Sequence, residues 1–231
     1  MSDDLSALAG FDGSARLFPL PNLVLFPYVI QPLHIFEPRY RQMTADALAG
    51  DRLITPVLLR PGWQEVSEGR PPVHPVACLG KIVADQRLDG GLYNLLVRGL
   101  RRVRLLHELP ADRAYRTARV ELLSDVGALA PGEAAALRGQ LGEQLPRWLP
   151  PGAALMEQFR KLLDSDLHAG ALCDVFAFAL PLEVALKQQL LEELDVSERA
   201  RRLVEMLREH APIAEAAVEH ARKFPPDFSE N

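Results

Sequence analysis

From Leu17 to Met43 the chain reads LFPLPNLVLFPYVIQPLHIFEPRYRQM, an apolar stretch broken by Pro19, Pro21, Pro27, Pro32 and Pro38. Proline cannot donate to a sheet ladder, so only short, edge or bulged strands fit between these positions. Leu23 to Phe26 and Leu33 to Phe36 are strand-sized with little polar alternation, which predicts two strands covered on both faces. At Pro38 the period changes: Tyr40, Met43, Ala47 and Leu48 recur at helical spacing, and the proline itself suits a first helical turn. Strand patterns return at Leu53 to Leu59 and Val76 to Asp85, and at Leu92 to Val97 beyond the turn Asp89-Gly90-Gly91. Gly80 marks a place where neighbouring backbone needs room, and Arg98-Gly99 a bulge. Arg102 and Arg104 then alternate with Val103 and Leu105, and Tyr115 to Leu123 repeats the pattern of a strand with one wet face. About six strands and one helix result, best closed as a small barrel that removes open edges.

From Val126 the composition shifts to Ala, Leu, Glu and Gln, all good helix formers. Pro131, Pro151 and Pro181 each stand where a first helical turn would begin, and Leu182, Ala185, Leu186 and Leu190 trace one helical face. The last long helix starts at Asp195 with Glu198 three residues on, in the manner of a capping box, and should bury Val196, Ala200, Leu203, Val204 and Leu207. Pro212 should end or kink it. The expected organisation is α+β: a loose leader over 1–15, a β-rich lobe over 16–125, a helical lobe over 126–224 and a tail over 225–231.

Composition narrows the functional classes. A net charge of -5 and a pI near 5.7 give no global attraction to phosphate backbones, so nucleic-acid binding would need a local patch. Two cysteines, Cys78 and Cys173, sit in apolar runs without a CxxC pair, which favours a reducing compartment. The N-terminus is acidic where a signal peptide would be basic, and no uncharged run approaches the ~20 residues of a membrane span. The expected location is the cytoplasm, with no membrane partner.

FPLPNLVLFP followed by PLHIFEPRYRQM closely resembles the opening of the Lon N-terminal domain, the substrate-recognition module at the front of Lon-type ATP-dependent proteases. The resemblance continues through GKIVADQRLDGGLYNLLVRGLRRVRLL and into LLDSDLHAGALCDVFAFAL and KQQLLEELDVSERARRL, so three separated motifs occur in order from about Leu17 to Arg208. It implies a PUA-like β pseudo-barrel with one helix followed by a C-terminal helical bundle. It also implies non-catalytic recognition of unfolded or extended polypeptide, in concert with a separate ATPase or protease. Such a peptide would add a strand at a barrel edge or enter a cleft between lobes.

The two catalytic modules of a complete Lon protease have no counterpart in these 231 residues. There is no GxxxxGK[ST] loop, no GxSxG elbow and no HExxH helix. Lys161 and Ser165 lie at helix-end spacing, and His34 reads as a hydrogen-bonded strand histidine rather than a metal ligand. No catalytic residue, metal or cofactor is therefore expected. Pro32, Leu33, Phe36, Glu37, Arg39, Tyr40, Gly80 and Gly99 read as structural members of the family motif, with Glu37 capping a helix and Arg39 in an ion pair. The binding candidates are Tyr28, Trp63 and Tyr93, which stand beside bends, and Arg98 and Arg102 from the one basic cluster. Two rival functions remain: an RNA-binding barrel, if Arg98, Arg101, Arg102 and Arg104 form one continuous positive face, and a small hydrolase.

Overall fold

The structure is a computed structural model that describes residues 8–65, 70–149 and 154–210. The chain divides into two compact units that part between Leu123 and Ser124. The first carries six strands, β1 (Ser14–Leu20), β2 (Ile30–Ile35), β3 (Leu53–Leu58), β4 (Val76–Arg87), β5 (Tyr93–Glu108) and β6 (Thr117–Leu122), and one long helix, α1 (Pro38–Leu48). In the sheet order β2-β5-β4-β3-β1-β6, β6 also pairs with β5, so five strands close a ring and β2 stands outside it. The long β5 makes this possible. Its Tyr93 to Arg98 half pairs with β2 and its Val103 to Glu108 half with β6, while β4 runs along the opposite edge. Inside the ring Ala15, Leu17, Leu53, Val57, Ala77, Leu79, Val103 and Ala118 are buried.

Two expectations for this region are corrected. Leu23 to Phe26 is not a strand: residues 21–29 form an irregular segment in which Val24, Leu25 and Phe26 are buried. A continuous apolar run signals burial without specifying a ladder, and Pro21 and Pro27 remove two of its donors. What fixes the segment is Gly99, whose amide donates to Val29 O (2.9 Å) and whose carbonyl accepts from Tyr28 N (3.0 Å). In addition, Ser14 and Ala15, read as the end of a leader, open β1, and Ala15 is buried beneath Leu8 and Phe11. Met1 to Ala7 lie outside the described residues.

Gly80 faces Gly99 across β4 and β5 at a bulge. A Cβ on Gly80 would stand 2.5 Å from Val97 Cγ1 and 2.9 Å from Leu25 Cδ2, and one on Gly99 would overlap the Phe26 carbonyl. The glycine pair thus lets Phe26 lie against the barrel wall. Helix α1 begins at Pro38 and buries Tyr40, Met43 and Ala47. Tyr40 meets Phe18 edge to face at 4.5 Å, and burial raises its pKa. Glu37 is the N-cap residue but makes no side-chain cap bond, because its carboxylate pairs with Arg39 at 2.8 Å.

The second unit contains α2 (Pro131–Trp148), α3 (Ala154–Leu163), α4 (Ala169–Ala179), α5 (Val184–Glu192) and α6 (Val196–Glu209). Helix α6 is built as its pattern predicts: Asp195 accepts from the amides of Ser197 (2.8 Å) and Glu198 (3.0 Å), and Val196, Ala200, Leu203, Val204 and Leu207 are buried. Pro131 opens α2, but Pro181 precedes α5 by three positions. Proline forces the residue before it into an extended conformation, and Leu180 has φ -88 and ψ 149. Pro146 is tolerated in the last turn of α2, after which Trp148 Nε1 donates to Leu207 O at 2.9 Å. Pro151, Pro212 and the expected tail lie outside the described residues. Among the described residues no helix is long and apolar enough to cross a membrane.

Lys187 on α5 donates to Phe178 O at 2.7 Å near the end of α4, and desolvation lowers its pKa from 10.5 to about 8. Below both values the ammonium is charged in the folded and unfolded chain alike, and its burial cost is carried in full. Between pH 8 and 10.5 the unfolded chain keeps a proton that the folded one has lost, so stability should rise with pH there, by at most ~3 kcal/mol. Urea unfolding of wild type and Lys187→Met across this range checks the expectation. The gap between them should narrow as pH rises, and a constant gap would refute it.

Candidate functional site

Strand β2 presents two unlike faces. Gln31, Leu33 and Ile35 are buried in register with Val97, Leu95 and Tyr93 of β5, whereas Ile30, Pro32 and His34 share the outer face with Arg98, Leu96 and Asn94. Continuing onto β4, the outer face has three cross-strand rows: Ile30, Arg98 and Lys81, then Pro32, Leu96 and Ala84, then His34, Asn94 and Gln86. Phe36 follows one period beyond His34. Ile30 is 48% exposed, Phe36 40% and Tyr28 43%, and the bulged Val83 adds another exposed apolar group. Among the described strands, β2 pairs with β5 alone and so forms an edge. This corrects the expectation that both faces of Leu33 to Phe36 are covered: among the described residues the outer one is partly open, with His34 half-buried and Phe36 exposed. The signal was present in the alternation Ile30, Pro32, His34, Phe36, whose members are apolar enough to look like core.

Local geometry holds this face in place. His34 Nδ1 and Asn94 Oδ1 are 2.7 Å apart, and the His34 and Phe36 rings stack at 6.4 Å. Arg41 donates to Gly90 O at 2.7 Å, tying α1 to the turn between β4 and β5. Tyr28 adopts φ 68, a left-handed conformation that costs a side-chain-bearing residue ~1 kcal/mol and is sustained here by its amide bond to Gly99.

The other predicted site residues are dispersed. Tyr93 is 8% exposed, because its register with Ile35 turns it into the barrel rather than outward from the turn. Arg102 is 3% exposed, opposite Cys78, which corrects the reading of it as a wet-face arginine. Trp63 is half-buried in a single turn on the connection between β3 and β4 and belongs to none of the three rows. Arg98 does lie on the outer face. Arg101 donates to Leu123 O, Arg104 pairs with Glu121, and adjacent Arg101 and Arg102 point to opposite sides, so the four arginines do not make one positive surface for RNA.

Catalytic constellations fare no better. Ser165 Oγ donates to Leu162 O at 2.7 Å, as a helix-end hydroxyl does. Cys78 and Cys173 are buried, and among the described residues no cluster of His, Cys, Asp or Glu suits a metal ion. A hollow of about 570 Å³ opens between Asp12, Arg16, Asp51, Arg113 and Tyr115, but its charges are satisfied nearby, Arg16 by Asp51 at 2.6 Å and Arg113 by Asp46 at 2.9 Å.

Comparison with known proteins adds a family. The model of the ATP-dependent protease La (LON) substrate-binding domain matches residues 14–209. Lon protease 2 of Herpetosiphon aurantiacus is 30% identical over 219 residues, an overlap of 92% of this chain and 26% of the relative. The Lon protease of Anaeromyxobacter dehalogenans is 28% identical over 196 residues, or 83% of this chain and 22% of that protein. The chain thus spans about a quarter of the length of these relatives. Among solved structures, a Lon N-terminal domain protein from Xanthomonas campestris superimposes with a TM-score of 0.61 at 25% identity, covering 83% of this chain and 97% of that one.

Proposed function

Since the chain belongs to the family of Lon substrate-binding domains, we propose that it is a non-catalytic module that recognises unfolded polypeptide in extended form at the edge strand β2 and the outer face beside it. The observation that carries this reading is the exposure of Ile30, 48%, at the start of an edge strand and of Phe36, 40%, just past its end. A single large exposed apolar residue is ordinary. Two of them six positions apart, or ~20 Å, one opening an edge strand and one just beyond it, match what an added strand needs: backbone pairing for affinity and alternate side-chain positions for selectivity. Tyr28 extends the same apolar margin. Trp63 remains a proposed accessory contact on its loop.

In this reading the five helices form the helical bundle of a second lobe, and hydrolysis of ATP or peptide bonds belongs to a partner ATPase or protease in the cytoplasm. The test uses a permanently unfolded client such as reduced, carboxymethylated casein, with binding followed by fluorescence anisotropy. Ile30→Glu and Phe36→Ser should each weaken binding by ~1–3 kcal/mol while leaving the melting temperature close to wild type, and the casein should stay intact with or without ATP. Unchanged affinity in both variants would remove this face from the function.

A further inference from the structure

The backbone edge of β2 that no described strand covers is interrupted at its centre, and that gap selects the segment that can lie along it. We infer that the preferred client segments are extended, apolar and carry a proline at the position facing Pro32; the inference rests on docking at β2 as proposed above. In an antiparallel ladder the N–H and C=O of one residue point to the same side, and successive residues alternate. Val29 O accepts from Gly99 N at 2.9 Å, and the register from Ile30 opposite Arg98 to Ile35 opposite Tyr93 runs without a shift. Gln31, Leu33 and Ile35 therefore turn their backbone groups to β5, and Ile30, Pro32 and His34 turn theirs to the edge. Pro32 has no N–H to offer there. Its carbonyl is already held by Gln31, a buried residue whose Nε2 donates to it at 2.7 Å.

A strand added antiparallel at this edge meets a complete rung at Ile30 and a missing one at Pro32. The client residue opposite Pro32 finds no donor for its carbonyl, and its own N–H finds an acceptor that Gln31 occupies. Leaving an amide without a partner costs more than an average hydrogen bond gains. A proline at that position has no N–H to strand, and it arrives with its φ already restricted. Area argues for one flexible segment over a second folded copy: a six-residue edge is ~20 Å long and one strand, ~5 Å, wide, on the order of 100 Å², against ~800 Å² per partner in a stable dimer.

Three fluorescein-labelled peptides of about nine residues test this; they share one Val/Thr framework and differ only at the central residue, which is Ala, Pro or lactic acid, the ester analogue of Ala in which oxygen replaces the N–H. The ester removes the donor without restricting φ, and so separates the missing amide from the rigidity of proline. By fluorescence anisotropy the wild-type protein should bind the ester and Pro peptides at least as tightly as the Ala peptide, with the Pro peptide about three-fold ahead of it. Gln31→Met leaves the Pro32 carbonyl to the client and should put the Ala peptide about three-fold ahead of its ester, whereas Pro32→Ala restores a central donor and should strengthen all three alike. An Ala peptide that the wild type binds more tightly than its ester or Pro counterpart, or a ranking that Gln31→Met leaves unchanged, overturns the proline rule while docking at β2 stands, provided Ile30→Glu still abolishes binding. Should Gln31→Met lower the melting temperature, Pro32→Ala decides, and binding no stronger than wild type overturns the rule. If no peptide binds, or if Ile30→Glu has no effect on any of them, docking at β2 itself falls and takes the rule with it. A wild-type dimer that Ile30→Glu dissociates would assign the edge to a second copy, with the same result.

Discussion

Gly99→Ala is expected to destabilise the β unit by about 3 kcal/mol or more and to weaken client binding together with stability. Its new methyl group would occupy the position of the Phe26 carbonyl, a backbone atom that cannot swing away as a side-chain end can. Relief requires moving residues 26–29, and with them the two hydrogen bonds by which Gly99 holds Tyr28 and Val29. Phe26, wholly buried, would lose its place, and Ile30 at the head of β2 would lose its anchor. Gly80→Ala should be milder, because its Cβ would meet Val97 Cγ1 and Leu25 Cδ2, the ends of side chains with some room to rotate. Urea unfolding orders the two variants, and amide exchange at Tyr28 and Gly99 shows whether the segment has detached. A Gly99→Ala protein as stable as Gly80→Ala would mean that the close approach of the Phe26 carbonyl does not govern this wall.

What the sequence made legible depended on whether a local rule and the tertiary environment agreed. The β4–β5 turn at Asp89-Gly90-Gly91, with Gly90 at φ 74, needs positive φ wherever it is placed, and Pro38 and Asp195 start helices by chemistry confined to one turn. Residues 21–29 obeyed no such rule: their apolar side chains announced burial, but their course is dictated by Gly99, 70 or more positions away. The same distance effect misled the reading of the site. Tyr93 was inferred to project because it follows a turn, yet strand register decides the face, and register is set by pairing with β2 and by the bulge between Leu79 and Gly80. The outer face of β2 escaped notice for the converse reason. Ile30 and Phe36 look like core residues by type, yet both are exposed where no further described strand pairs beyond β2.

In the helical unit the largest effect should come from Arg199→Met, with an expected loss of ~3–5 kcal/mol. Arg199 is 1% exposed; it donates to both carboxylate oxygens of Asp125 at 3.0 and 2.5 Å and to Glu193 O at 2.7 Å, and its Nε stands 3.5 Å from the carboxylate of Asp174, itself 0% exposed. Removing the guanidinium takes from Asp174 the cation that compensates its burial, and that uncompensated charge, rather than the lost bonds, accounts for most of the cost. Arg199→Lys should recover little, since an ammonium cannot hold Asp125 through two parallel bonds and face Asp174 as well. The double variant Arg199→Met with Asp174→Asn should regain a good part of the loss, because it removes the stranded charge along with the cation. Gly170 limits any rearrangement: a Cβ there would stand 2.6 Å from Asp125 Oδ2 and 2.8 Å from Arg199 Nη2, so the helix start is fitted to the ion group and Gly170→Ala should also be destabilising. Trp148, buried and bonded to Leu207 O, reports the unfolding of this unit by fluorescence in a Trp63→Phe background. If the double variant proved no more stable than Arg199→Met, the stranded charge on Asp174 would not be the cause of the loss, and the bonds from Arg199 to Asp125 and Glu193 would have to carry it instead.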